Sequence, residues 1–164
     1  MDDVQKKIQQ WTTVLPSLNT QPMALTSRLQ RANKHINDEL NLTFKQHKIS
    51  DASFDVMATL LRSGPPHSLS PGQLLEQMLI TSGTMTTRID KLEKKGLVKR
   101  KIKKSDKRSV NVALTKKGLK LIEEVVLEHV KRQEKIVSIF SEDEQLMFIN
   151  LLQKYLHNAD KKHK

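Results

Sequence analysis

A mainly helical fold carrying a small two-stranded β-ribbon is what the sequence predicts, and three observations predict it. Apolar residues recur at helical spacing over most of the chain, helix starts are marked by capping residues at Ser50, Ser70, Thr115 and Ser141, and the period switches to alternation between Leu97 and Leu114. Just ahead of that ribbon stand two short capped helices joined by a tight turn, the arrangement of a helix-turn-helix.

The elements follow in order. Val4, Ile8, Trp11 and Leu15 form one helical face that Pro16 stops, and a Pro-bracketed linker runs to Pro22. So short a helix is stable only when docked. Pro22 at a first helical position opens a long helix with Leu25, Leu29, Ala32, Ile36 and Leu40 on one face, running into Phe44. Ser50 caps a third helix whose stripe is Phe54, Met57, Ala58 and Leu61, and Gly64 before Pro65-Pro66 supplies a left-handed stop.

Ser70-Pro71-Gly72-Gln73 reads as a capping box ahead of Leu74, Leu75, Met78 and Leu79. Thr81-Ser82-Gly83 interrupts, and the next helix buries Met85, Ile89 and Leu92 and ends at Gly96, leaving Thr84, Thr87, Arg88 and Lys91 off the apolar stripe. Val98, Arg100 and Ile102 then alternate with Leu97, Lys99 and Lys101, and Val110, Val112 and Leu114 alternate with Asn111 and Ala113, which predicts two strands. The intervening Lys103-Lys104-Ser105-Asp106-Lys107-Arg108-Ser109 carries too much like charge to pack inward and is expected as a projecting loop. Thr115 caps a long helix containing Leu119, Ile122, Val126, Val130, Val137 and Phe140. A second capping box, Ser141-Glu142-Asp143-Glu144, starts a last helix lined by Leu146, Ile149, Leu152 and Leu156. Residues 161–164 read as a frayed tail.

Composition narrows the function. At 164 residues with 37% hydrophobic and 29% charged content the chain is long enough for an ordinary core, and neither disordered nor fibrous in character. Twenty-nine Lys and Arg against eighteen Asp and Glu leave a net charge of +11, which points to a polyanionic partner. The absence of cysteine excludes disulfides, thiolate metal sites and thiol redox sensing together. Acids lead the N-terminus and no apolar run approaches the roughly 18 residues of a spanning helix, so a cytoplasmic location is expected.

Between positions 94 and 108 nine basic residues (Lys94, Lys95, Lys99, Arg100, Lys101, Lys103, Lys104, Lys107 and Arg108) face Asp106 alone, so most of the net charge is concentrated there. A basic hairpin beside a helix-turn-helix is what duplex DNA requires: a helix of major-groove width and cations that neutralise phosphates. Catalysis finds no support, since the sequence has no nucleophile-elbow, phosphate-loop or dinucleotide-binding glycine pattern. Carboxylates such as Glu123 and Glu124 lie amid basic neighbours and read as solvated, and no cofactor is called for. The six histidines, His35, His47, His67, His129, His157 and His163, form no i, i+4 pair, so no metal ligand is assigned and a metal site would need tertiary or dimer contacts.

Ser82 through Val98, followed by Asp106-Lys107-Arg108 and by Leu114-Thr115-Lys116-Lys117-Gly118, resembles the MarR family of regulators in order and spacing. The resemblance implies a winged helix-turn-helix whose N- and C-terminal helices form a dimerisation lobe. Residues 1–48 would hold the N-terminal helix and first dimerisation helix, 50–115 the DNA-binding domain, and 116–160 the C-terminal dimerisation helices. It further implies that Thr84, Thr86 and Thr87 face the major groove with Ser82 and Lys91 beside them, and that Lys103, Lys104 and Lys107 meet phosphates. Arg108 would enter the minor groove, oriented by Asp106. Lys107 departs from the family's usual Asp-Arg-Arg but keeps the charge.

A narrower resemblance concerns a ligand. The added helix bearing Trp11, the run Phe54 to Pro66, and Leu69 to Leu74 are similar to the urate-responsive PecS/HucR branch of that family. That implies a urate-binding set of Trp11, Asp55, Arg88 and Arg100 and a homodimeric regulator, expected as a repressor, released from a pseudo-palindromic operator by urate or a related purine. Urate is an aromatic monoanion, for which guanidinium groups offer charge-assisted hydrogen bonds and an indole a flat partner. A regulator answering another aromatic anion, and an architectural DNA-binding protein that senses nothing, are the alternatives.

Overall fold

A computed structural model describes residues 2–78, 82–103 and 106–161. The expectations for Leu79, Thr81, Lys104, Ser105 and residues 162–164 lie outside these, and for Ser82, Lys103, Asp106, Lys107 and Arg108 only the backbone is described. The elements run α1 (Asp3–Val14), α2 (Gln21–Gln46), α3 (Asp51–Arg62), β1 (Ser68–Leu69), α4 (Pro71–Met78), α5 (Ser82–Lys94), β2 (Val98–Lys103), β3 (Asp106–Leu114), α6 (Lys116–Val137) and α7 (Glu142–Lys161).

Local chemistry sets these boundaries. The Ser50 hydroxyl accepts from Ser53 N at 3.1 Å, and the Thr115 hydroxyl accepts from Gly118 N at 2.9 Å. Both capping boxes close reciprocally: Ser70 N donates to Gln73 Oε1 at 2.9 Å while Gln73 N donates to Ser70 Oγ at 3.2 Å, and Ser141 and Glu144 exchange the same pair of bonds. α5 ends at Gly96 with φ +68, where Leu97 N reaches Leu92 O and Gly96 N reaches Glu93 O, the paired bonds of a Schellman stop. α2 ends by the same device at Lys48, a non-glycine residue at φ +55, with Ile49 N on Phe44 O and Lys48 N on Lys45 O.

The sheet has three antiparallel strands in the order β1-β3-β2. The sequence predicts only the last two. β1 is two residues long, too short to announce itself by alternation, and pairs Ser68 with Ala113 and Leu69 with Val112. A second correction concerns the ribbon's tip: strand pairing extends to Lys103 opposite Asp106 after an irregularity at Ile102, so the expected loop of 103–109 is largely strand. Pairing satisfies backbone groups while the basic side chains need no interior. Ile102 is 67% exposed although alternation predicts it inward, because by that point the ribbon has left the core that buries Leu97 and Val98.

That core lies where α3, α4, α5, the sheet and the first half of α6 meet, with Val56, Met57, Leu60, Leu74, Met85, Leu92, Val112 and Ile122 buried. Fully enclosed side chains of this size each contribute about 1.5–3 kcal/mol relative to exposure. α3 is buried beyond its predicted stripe, since Val56 and Leu60 are also enclosed. The described remainder of the chain packs differently. α1 docks on α2 through Val4 and through the pairs Arg28–Asp2 at 3.0 Å and Arg31–Asp3 at 3.3 Å. The predicted apolar face of α2, with Leu25, Leu29 and Ile36, is exposed in the single chain, as are Leu146, Phe148, Ile149, Leu152 and Leu156 of α7. No helix among the described residues is long and apolar enough to cross a membrane.

Candidate nucleic-acid interface and the pocket behind it

α5 is amphipathic in the predicted sense. Met85, Ile89 and Leu92 anchor it in the core, while Thr84, Thr86, Thr87 and Lys91 lie on its exposed face. The buried residues recur at i, i+4 and i+7, so the opposite face is held outward as a rigid, polar surface. A Cβ built on Gly83 would meet nothing within 4 Å, which leaves the start of that surface open. The β2–β3 ribbon stands beside it with Lys99 and Lys101 exposed. A short helix presenting hydroxyls and a lysine, flanked by a cationic ribbon, has the dimensions and charge to sit on a duplex.

Not every cation of the run is available to an anion. Lys95 Nζ donates to Lys48 O at 2.7 Å, so it fastens the end of α5 to the α2–α3 turn. Arg100 is committed as well. Its guanidinium pairs with Asp90 Oδ1 at 2.5 Å and with Glu93 Oε2, and its backbone N donates to Glu93 Oε1 at 2.9 Å. The hydrogen bonds it donates to Asp90 and Glu93 hold the guanidinium still more firmly in its charged form. Arg100 thus ties β2 to α5.

Behind α5, between α2, α3 and α6, lies a pocket of about 390 Å³ whose walls include Asn37, Asn41 and Phe44 of α2, Phe54 and Asp55 of α3, and His129 of α6. That volume falls within the ~300–1,000 Å³ of small-molecule sites. The His129 ring closes a triangle of rings with Phe44 and Phe54, at centroid distances of 5.3 and 4.8 Å, the two phenyl rings being 4.8 Å apart. Burial lowers its pKa, partly offset by Asp51 and Asp55, and its buried Nδ1 has no hydrogen-bond partner among the described residues. Burial, reinforced by Asp51, raises the pKa of Asp55 against the opposing pull of Arg88.

Of the four residues assigned to a ligand by resemblance, the structure brings two together. Asp55 Oδ2 lies 3.8 Å from Arg88 Nη1, a nitrogen that is buried and without a hydrogen-bond partner among the described residues. Arg100 is on the other side of α5 in its pairs with Asp90 and Glu93, and Trp11 is on α1 with 42% of its surface exposed. Asn37, Asn41 and His129 are pocket residues that sequence reasoning missed. Their only signal is faint: the two amides stand at i, i+4 next to the α2 apolar stripe, and His129 is one histidine among six.

Comparison with known proteins agrees with this geometry. The family model described as MarR family matches residues 49–110, which span α3 to the middle of β3. The transcriptional regulator PecS of Dickeya dadantii (strain 3937) is 39% identical over 143 residues, 87% of this chain and 86% of that protein. The regulator MhqR of Bacillus subtilis (strain 168) is 30% identical over 82% of this chain and 91% of its own length. A crystal structure of an E. coli MarR variant with operator DNA shares the fold, with a TM-score of 0.70 and 24% identity, over 89% of this chain and 97% of that one. With the helix-turn-helix and ribbon in place, and 39% identity to PecS over 87% of this sequence, the chain belongs to the MarR family of DNA-binding transcriptional regulators, and is not an enzyme.

Proposed function

We propose that the protein is a homodimeric, cytoplasmic regulator that occupies a pseudo-palindromic operator and leaves it when urate, or a related purine anion, enters the pocket between α2, α3 and α6. The observation that carries this reading is the Asp55–Arg88 pair, because it joins the pocket wall to the helix that would read DNA. At 3.8 Å the pair is loose, and the orphaned Arg88 Nη1 has a hydrogen bond to give. An anion accepting that bond gains what Asp55 does not supply, and a ligand N–H finds an acceptor in the Asp55 carboxylate. Asn37 and Asn41 add amide donors and acceptors, and Phe44, Phe54 and His129 offer flat partners to a heteroaromatic ring.

The step from pocket to DNA then needs only differential affinity. A ligand that re-aims Arg88 favours a position of α5 other than the one suited to the groove, and shifts the population accordingly. Trp11 and Arg100 enter this reading only after movement, or from the second subunit, since Arg100 is held by Asp90 and Glu93. The test is fluorescence anisotropy on labelled DNA from beside the protein's own gene, against random DNA, at fixed salt, with and without urate. Operator-selective binding weakened by urate supports the proposal. Selective binding indifferent to urate removes this ligand class, and equal affinity for both DNAs favours an architectural protein.

A further inference from the structure

A second cluster, of residues that do not line the pocket, lies at the C-terminal end of α2. His47, the C-cap of α2, and Glu124 and Glu128, one turn apart on α6, place a ring nitrogen and two carboxylate oxygens within 4.8 Å of one another. We infer that His47, Glu124 and Glu128 form a divalent transition-metal site, of the kind that takes Zn²⁺ or Mn²⁺, which clips α6 to the turn ending α2.

The arrangement has the features such a site needs. His47 is positioned by the Schellman stop around it, and its side chain is 13% exposed, so the imidazole is pre-aimed. Its Nε2 already meets Glu128 Oε2 at 2.9 Å. Glu124 and Glu128 are i and i+4 on one helix, a spacing that puts both carboxylates over the same patch. In a chain of net charge +11 this patch is peculiar: among the described residues no Lys or Arg comes within salt-bridge distance of either carboxylate, and Glu124 has no hydrogen-bond partner. Two acids turned toward one imidazole, in a protein with cations to spare, are better matched by a cation than by each other.

The donor set selects the ion class. One imidazole nitrogen with two carboxylate oxygens, in a chain without cysteine, suits borderline divalent ions and leaves open positions for water. Bonds of about 2.0–2.1 Å around a tetrahedral Zn²⁺ set donors ~3.3 Å apart, so the carboxylates need to close by no more than about 1.5 Å. Rotamer changes of partly exposed glutamates accomplish that. Nε2 carries the proton in its hydrogen bond to Glu128, so metal binding takes the tautomer protonated on Nδ1 or releases that proton to solvent. The freed Nε2 lone pair goes to the cation, and the hydrogen bond gives way to two metal bonds.

The experiment is isothermal titration of the chelator-stripped full chain with Zn²⁺, and in parallel with Mn²⁺, on the wild type and on Glu124→Gln, Glu128→Gln and His157→Gln. Glu124→Gln touches no described partner, so its helical circular dichroism and operator binding stay at wild-type values. The inference requires one saturable site per chain for at least one of the ions. Its affinity falls roughly tenfold or more in both glutamate variants and is unchanged in His157→Gln. Absence of saturable binding by either ion overturns it, as does binding that Glu124→Gln leaves intact or His157→Gln abolishes. Because DNA binding is measured separately, failure here leaves the regulator reading untouched.

Discussion

The proposed switch rests on single residues. Arg88 stands at the meeting of pocket and reading helix, its side chain only 22% exposed and paired with Asp55, while Thr84 and Lys91, one turn to either side on the same face of α5, and Thr87 are exposed. Arg88→Ala is therefore expected to keep operator affinity within a few-fold of wild type while the urate effect disappears, both read in one anisotropy titration. Loss of DNA binding together with ligand response would place Arg88 on the phosphate backbone instead. His129 gives a prediction of different kind. Its pKa in the folded chain lies below the ordinary 6.5 because burial opposes protonation. The unfolded chain thus binds that proton more strongly. The associated stability is complete above about pH 6.5 and is lost as pH falls through the native value. His129→Phe, which keeps the stack with Phe44 and Phe54, should lose less Tm than wild type between pH 7.5 and 5.5 in a thermal melt. Side-chain identities at this scale were readable from sequence, but their pairing was not. Nothing in the spacing of Asp55 and Arg88 says that α3 and α5 pack to within an ion pair's reach, and only resemblance linked them.

Elements were more legible than contacts, for a physical reason. Caps and stops are local, so Ser50, Ser70, Gly96, Thr115 and Ser141 announce themselves within four residues and the structure uses each as predicted. β1 escaped because two residues cannot display a period, and the ribbon was read short because strand pairing tolerates charge on side chains that never enter a core. One close approach joins two elements that the sequence shows as separate. A Cβ on Gly118, in the first turn of α6, would lie 1.9 Å from the Leu97 carbonyl oxygen at the root of the ribbon. The helix start and the ribbon root touch by backbone, reinforced by the Thr115 hydroxyl on Gly96 O at 2.8 Å. Gly118→Ala must push them apart. It should cost about 1–3 kcal/mol, several degrees of Tm, despite the better helix propensity of alanine. An unchanged melting temperature would show that the contact yields freely.

At the scale of the whole molecule the single chain is incomplete. α7 is 20 residues long, barely touches the rest of its own chain beyond the Phe140–Phe148 ring contact at 5.1 Å, and bares Ile149, Leu152 and Leu156. A lone helix of that length is marginal in water, and so large an apolar surface calls for a partner. The exposed stripe of α2 supplies a second face of the same character, and a second copy of the chain covers both in the dimer proposed above. Leu152→Glu combined with Leu156→Glu should convert the dimer to monomer in sedimentation velocity and abolish high-affinity operator binding, while leaving the buried core around Met57 and Leu74 folded. A dimer that survives both charges would locate the interface elsewhere.

The Arg100 clamp has a consequence for how a signal reaches DNA. With its guanidinium on Asp90 and Glu93 and its backbone on Glu93, the strand and the helix beside it are spliced at three points, and the Gly118–Leu97 contact fixes the same strand to α6. These contacts oppose a pivot of the helix alone. In the proposed switch, movement begun at Arg88 would therefore displace helix and ribbon together, as one jaw of a pair of calipers. In the dimer proposed above, what the ligand would alter is the gap between two such jaws, measured against a duplex whose successive turns recur at about 34 Å and do not stretch to follow.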